Sequence, residues 1–228
     1  MKVFISQSNY IPWKGYFDAI HQADVMVIYD CVQYTRRDWR NRNLIRSAEG
    51  LLWLSIPVRV HTRSQLINET EVVTTNWVDK HWTSLYHSYV SSPFFDDFQQ
   101  RVLVLYQEAK ELQLLSDINY LFLQRILSIL EIKTKLIRAP HVDLSINATQ
   151  RLVNICKDLG CTTYLTGPSA KNYLEVDRFR KEGIAIEWMN YSNYPTYAQN
   201  RPGFEHHVSI LDVLFNCGPN ARQYVLIE

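Results

Sequence analysis

The chain opens on a short apolar run at residues 2–5 (KVFI), which predicts a buried first strand leading into a loop at 6–12. Over residues 15–22 the positions Tyr16, Phe17, Ala19 and Ile20 fall on one face of a short amphipathic helix. Residues 25–29 (VMVIY) form the continuous apolar stretch of an interior strand. Two buried strands joined through a helix are parallel by preference, with a right-handed crossover. Residues 51–60 (LLWLSIPVRV) predict another strand, and Pro57 places its second half at an edge or bulge. The period then changes. Residues 77–130 are helical in pattern, broken only by Pro93, and predict about three helices inserted into the sheet or packed beside it. Ser92-Pro93 fits an N-cap followed by proline at the first helical position.

From residue 134 the strand and helix patterns alternate again. Strands are predicted at 134–138, 163–166 and 184–189, and helices at 149–159 and 173–181, stopped by Gly160 and Gly183. A loop rich in tyrosine and proline covers 191–204, and a last helix at 209–216 ends at Gly218-Pro219. No repeat, low-complexity tract or flexible linker interrupts the chain. The expectation is an α/β protein with a Rossmann-like, mostly parallel sheet and helices on both faces. It would form one domain over 1–228, with a helical insertion at roughly 77–131.

Composition narrows the possible functions. A formal net charge of +1 on 228 residues argues against an extensive nucleic-acid surface, while leaving room for a local basic site. The four cysteines are scattered without a C-x-x-C pair, and Cys31, Cys156 and Cys217 sit in apolar runs, so they read as reduced core residues. The opening MKVFISQ turns polar too soon for a signal peptide. No apolar run approaches the ~20 residues of a membrane helix. A soluble, cytoplasmic protein without a membrane span is expected. Fourteen tyrosines and six tryptophans suit pockets as well as cores, because each combines apolar area with a polar handle.

Candidate chemistry concentrates between Gln7 and Asn43. The loop after the first strand lies where open α/β sheets bind ligands, beyond a strand's carboxyl end. There Gln7 and Asn9 supply donors and acceptors, Tyr10, Trp13 and Tyr16 supply flat faces, and the following helix would aim amides such as that of Gly15 at an anion. Trp13-Lys14-Gly15-Tyr16 occupies the place of the H-x-G-H signature of nucleotidylyl transferases, with aromatics where the two histidines would stand. Asp30, with Gln33 close behind, ends the second strand and could hold a hydroxyl, a metal or an amine, or neutralise a neighbouring arginine. The segment Arg36-Arg37-Asp38-Trp39-Arg40-Asn41-Arg42-Asn43, with Arg46 beyond, holds arginines and no lysine. Guanidinium forks pair bidentately with phosphate and stack on rings, which suggests a diphosphate clamp; a solvated basic face is the plainer alternative. Lys80 and His81 could bring a cation and a near-neutral imidazole. Gly167, Lys171 and Asn172 leave a strand end and open a helix, again a phosphate-binding position, and Tyr197 and Gln199 lie in a loop that could act as a lid. His206-His207 beside Glu205 lacks an i,i+4 partner, so no metal site is expected there.

The segments SQSNYIPWKGYF, ADVMVIYDCVQYTRRDWRNRN, WLSIPV, DKHW, YLTGPSAKNYL, YPTYAQ and SILDVLFNCGPNA, in order along nearly the whole chain, resemble the WbqC-like family. The resemblance implies an association with bacterial surface-polysaccharide and O-antigen synthesis. It further implies transfer of a glycyl or related acyl group to a nucleotide- or lipid-linked amino sugar, with ATP as a possible acyl activator. The alternative is a non-catalytic sugar-nucleotide or glycan binder within a biosynthetic complex. The partner expected on either reading is a phosphorylated small molecule or sugar nucleotide, with Asp30, His81 or Lys80 handling the proton of the attacking amine. Two departures from the family pattern stand out: Ser8 where a proline is usual, and Cys31 where a second acid usually follows Asp30.

Overall fold

Alternation along the first two strands decides the layering. In β1 (Lys2–Ser6), Val3 and Ile5 face one side of the sheet and Phe4 the other. After α1 (Lys14–His21), β2 (Val25–Ile28) repeats this: Val25 and Val27 join the first side, Met26 and Ile28 the second. Both sides of both strands are apolar, so the sheet needs cover on each face. The remaining chain supplies it, in a computed structural model that describes residues 1–226.

Two antiparallel pairs follow β2. The first joins β3 (Arg42–Ser47) to β4 (Gly50–Ser55), and the second joins β5 (Val58–Arg59) to β6 (Glu71–Val72). Three helices come next, α2 (Trp77–Tyr89), α3 (Phe95–Lys110) and α4 (Leu115–Ile129). The chain then returns to the sheet with β7 (Lys135–Arg138), α5 (Ala148–Asp158), β8 (Thr163–Thr166), α6 (Val176–Lys181) and β9 (Ala185–Trp188). It closes with α7 (Ile210–Cys217) and the single turn α8 (Arg222–Val225).

The sheet has five strands in the order β7-β2-β1-β8-β9, every neighbouring pair parallel. On one face Val153 and Cys156 of α5 and Phe179 of α6 pack against Val3, Ile5, Val27 and Tyr164. On the other, Phe4, Met26 and Leu165 meet α1, α7 and the three-helix block, whose apolar positions fall at helical spacing (Phe98, Val102, Leu105, Tyr106 and Ala109 in α3). The expected α/β class, parallel sheet and helices on both faces are all present.

Several boundaries differ from expectation. The run at 51–60 is not a strand of the main sheet: it splits at Pro57, and its first half pairs antiparallel with β3, which itself grows out of the arginine segment. Ser92-Pro93 does not cap α3. The helix begins at Phe95, and Ser92 contributes its carbonyl to the Phe95 amide instead. The helix expected at 173–181 starts only at Val176, because Pro168–Asn172 forms a 3₁₀ turn first. All four cysteines are free and buried. Among the described residues no helix is long and apolar enough to cross a membrane.

Candidate functional site

From β1 the chain steps to β2 and β7 on one side, then returns to place β8 and β9 on the other. The direction of winding therefore reverses between β1 and β8, and the loops leaving these two strand ends diverge. A cleft of about 420 Å³ opens at this point, within the usual size of a small-molecule site. Ser6 and Gln7 line it from the end of β1, Tyr29 from the end of β2, and Thr166 and Gly167 from the end of β8. Arg151 reaches it from the first turn of α5, and Tyr191 from the loop after β9.

Three buried polar atoms in this cleft have no hydrogen-bond partner among the described residues: Asn9 Oδ1, Tyr29 Oη and Arg151 Nε. Buried polar atoms are almost always paired, so three orphans around one cavity mark a place where a polar ligand would complete the bonding. Burial raises the Tyr29 phenol above its ordinary value, with the Arg151 charge acting the other way, which keeps the hydroxyl protonated and able to donate. Asn147 fixes the helix that carries Arg151. Its side-chain carbonyl accepts from the Thr149 and Gln150 amides at 2.9 and 3.2 Å, satisfying the exposed donors of the α5 N-terminus.

Of the residues singled out in the sequence, Gln7, Asn9, Tyr16 and Gly167 line this cleft. The others lie elsewhere. Tyr16 donates its hydroxyl to the Gln7 carbonyl at 2.7 Å and thereby shapes the β1 loop. Trp13 lies off the cleft, packed against Tyr191, Tyr194 and His207. Gly15 does not line the cleft. A Cβ there would fall 2.4 Å from the Trp13 indole, so the glycine exists to let that ring lie across the start of α1. Tyr10 and Asn43 are buried supports: Asn43 donates to the Tyr10 and Ile11 carbonyls at 3.0 and 2.9 Å and holds Ile11 at a φ of 35°.

Asp30 is buried and already engaged, accepting from the Ser8 amide at 2.8 Å and the Ser8 hydroxyl at 2.7 Å. Desolvation pushes its carboxyl up, opposed by those two bonds and then by Arg40 and Arg138. Arg40 turns inward to the Ser8 carbonyl, and Asn119 of α4 donates to both Ser8 Oγ and the Arg40 carbonyl, tying the helical block to the sheet. His81 is also interior. Its Nε2 faces the Ser55 carbonyl, which can only accept, so Nε2 carries the proton; Nδ1 then accepts from Tyr10, which accepts from Tyr106. Burial lowers the His81 pKa to about 4. Neither Asp30 nor His81 lines the cleft, and Lys80 is exposed on α2.

The arginine segment does not converge on one ligand-sized point. Arg40 points inward, and Arg42 stacks on Trp53 with its guanidinium 4.1 Å from the ring centre. Arg46 donates to Gln199 and Pro202 in the loop after β9, while Arg36 and Arg37 are exposed. Asp38 caps the Trp39 amide, Asn41 donates to Ile56, and exposed Gln33 donates to Arg63. The loop after β9 is pinned rather than free: Tyr197 donates to Asp212 at 2.7 Å, and Gln199 donates to Asp212 and Glu205. Lys171 and Asn172 are exposed on the turn after β8, with the Lys171 ammonium 5.4 Å from the Trp188 ring. Among the described residues no group of three or more His, Cys, Asp or Glu side chains is placed to hold a metal ion.

Sequence reading missed Tyr29, Arg151 and Tyr191 as lining residues. One available signal was positional. The helix capped by Asn147 is the next element after β7, and the first turn of the helix after a parallel strand lies at the ligand end of the sheet.

Comparison with known proteins identifies relatives of this sequence. A family model described as the WbqC-like protein family matches residues 7–224. A protein of Mycobacterium tuberculosis, "Uncharacterized protein Rv1507c", is 42% identical over 225 residues, covering 98% of this chain and 97% of that protein. No solved structure matches.

Proposed function

The chain belongs to the WbqC-like protein family, and we propose that it is a transferase of surface-polysaccharide synthesis whose switch-point cleft holds a phosphorylated sugar. The observation that carries this reading is the convergence of the unpaired Arg151 Nε, Tyr29 hydroxyl and Asn9 carbonyl on one cavity. Arg151 supplies the charged donor that a sugar phosphate or diphosphate needs, and Tyr29 a second, neutral donor. Asn9 Oδ1 accepts from a sugar hydroxyl, while Tyr173 and Tyr191 offer ring faces at the cleft. The anion role therefore passes from the segment at 36–43 to a single arginine on α5.

The finer chemistry we propose is transfer of a glycyl or related aminoacyl group to an amino sugar. The sugar nitrogen attacks the acyl carbonyl, the new C–N bond forms, the acyl–donor bond breaks, and the nitrogen loses a proton. ATP would serve as the activator that makes an adenylate donor. The second reading, a sugar-nucleotide binder without turnover, is favoured by the absence of Asp30 and His81 from the residues that line the cleft. AMP release in the presence of ATP, glycine and an amino-sugar nucleotide separates the two.

The binding claim is tested by Arg151→Gln. Arg151 makes no side-chain hydrogen bond or ion pair among the described residues, so the variant should unfold at nearly the wild-type temperature. Calorimetric affinity for an amino-sugar nucleotide should fall about 10- to 100-fold, the loss of one or two charge-assisted bonds. Unchanged affinity would remove the cleft from consideration.

A further inference from the structure

The β3–β4 hairpin presents an outward face unlike the rest of the surface. Trp53 and Leu51 share that face by strand alternation and are 41% and 51% exposed, and Trp39, 39% exposed, lies against Trp53 with ring centres 5.4 Å apart. The Arg42 guanidinium stacks on Trp53 and also donates to the Arg37 carbonyl, so one side chain fastens the 36–39 turn to the hairpin. Arg36 and Arg37 are exposed on that turn. The carboxylate of Asp38 is occupied locally, with Oδ1 accepting the Trp39 amide and Oδ2 lying 3.6 Å from Arg40 Nε. What remains is a pre-ordered patch of two indoles and an aliphatic side chain beside three guanidinium groups.

We propose that this face seats the protein against an anionic bilayer surface. Indoles favour the boundary between headgroup and acyl chain, where one edge is apolar and the other wet, and a basic fringe adds attraction to negatively charged lipid. Leu51 argues for lipid over stacked nucleotide bases, because an aliphatic side chain has no ring to stack, and the chain's net charge of +1 lacks the broad basic track of a nucleic-acid groove. The attachment is peripheral. It stands apart from the cleft, none of whose lining residues it uses.

Co-sedimentation of the full chain with vesicles tests this. Equimolar phosphatidylglycerol and phosphatidylcholine should carry down the wild type at low salt, phosphatidylcholine alone should not, and ~0.5 M salt should release the protein. Trp39→Ser/Trp53→Ser and, separately, Arg36→Ser/Arg37→Ser should each weaken partitioning about tenfold. All four side chains are exposed, so the variants should fold, which circular dichroism checks. The proposal is overturned if wild type stays in the supernatant with anionic vesicles, or if it binds neutral vesicles equally well. It is equally overturned if both double variants partition like wild type. A single-stranded oligonucleotide that displaces the protein from vesicles would reassign the face to nucleic acid. A dimer in solution that the tryptophan pair abolishes would reassign it to a second copy of this chain.

Discussion

At the scale of single residues, His81 carries a titration signal in the acid range although it serves the core. Burial disfavours the charged ring and lowers its pKa to about 4, with the bond to the Ser55 carbonyl acting the other way, while Tyr10 and Tyr106 continue the hydrogen-bond chain from Nδ1. The sign follows from proton counting. Between about pH 4 and the unfolded value near 6.5, the unfolded chain binds the proton and the folded chain does not, so stability falls as pH falls through that window. The loss contributed by His81 reaches roughly 3 kcal/mol at its acid end. Urea denaturation from pH 7 to 4 should show this slope, and His81→Gln, less stable at neutral pH, should show a flatter one. Asp30 acts in the opposite sense, since its raised pKa makes the folded state the better proton binder just above the unfolded carboxyl value. The two titrations are therefore separable by their direction. Ser8 explains how a lone carboxylate beside Cys31 is tolerated: its amide and hydroxyl both donate to Asp30, and a proline at that position would supply neither.

At the scale of elements, α5 matters more to the cleft than its length suggests, because its first turn presents Arg151. Asn147→Ala removes the acceptor for two backbone amides and should cost about 1 kcal/mol of stability. It should also weaken sugar-nucleotide binding by loosening the turn that aims the guanidinium. If thermal melting shows the stability loss while calorimetry shows wild-type affinity, the cap stabilises α5 without aiming Arg151. The sequence revealed the strands of the main sheet within one or two residues, β1 and β2 as continuous apolar runs and the others as short segments alternating with helical patterns. It did not reveal β3. Arg42, Arg46 and Asn43 read as ligand chemistry, whereas the strand forms because Asn43, Ile45 and Leu54 point inward and the arginines find partners outside the cleft. Part of the cleft was legible for a related reason. Gln7, Asn9, Tyr16 and Gly167 follow strand ends visible in the sequence. Tyr29 and Arg151 look like an ordinary strand end and helix surface until the switch point brings them together.

At the scale of the whole molecule, the loop after β9 joins parts that are distant in sequence. Tyr191 lines the cleft, Tyr194 donates to Asp18 of α1, Tyr197 and Gln199 bond Asp212 of α7, and Arg46 of β3 donates to Gln199. Lys14, only 1% exposed, fastens the middle of this span: its ammonium donates to the Pro195 carbonyl at 2.9 Å and faces the rings of Tyr194, Tyr197 and Phe204. Burial lowers its pKa to about 8, with Cys217 and Asp212 acting the other way. Above pH 8 the folded chain sheds this proton while the unfolded chain keeps it to about 10.4, so the Lys14 contribution to stability rises with pH across that window. In Lys14→Met that alkaline gain should vanish, since nothing at the position titrates. The same variant leaves the Pro195 carbonyl without its donor and replaces the cation–ring contacts with a thioether. Cleavage by limited proteolysis within 190–205 should quicken several-fold, and sugar-nucleotide affinity should fall modestly because Tyr191 is no longer held over the cleft. Wild-type proteolysis together with wild-type affinity would mean that the tyrosine–carboxylate bonds hold the loop without Lys14. Faster cleavage with unchanged affinity would separate the loop from the ligand site. The predicted pairing of both effects is what a loop joining α1, α7 and the hairpin to the cleft requires.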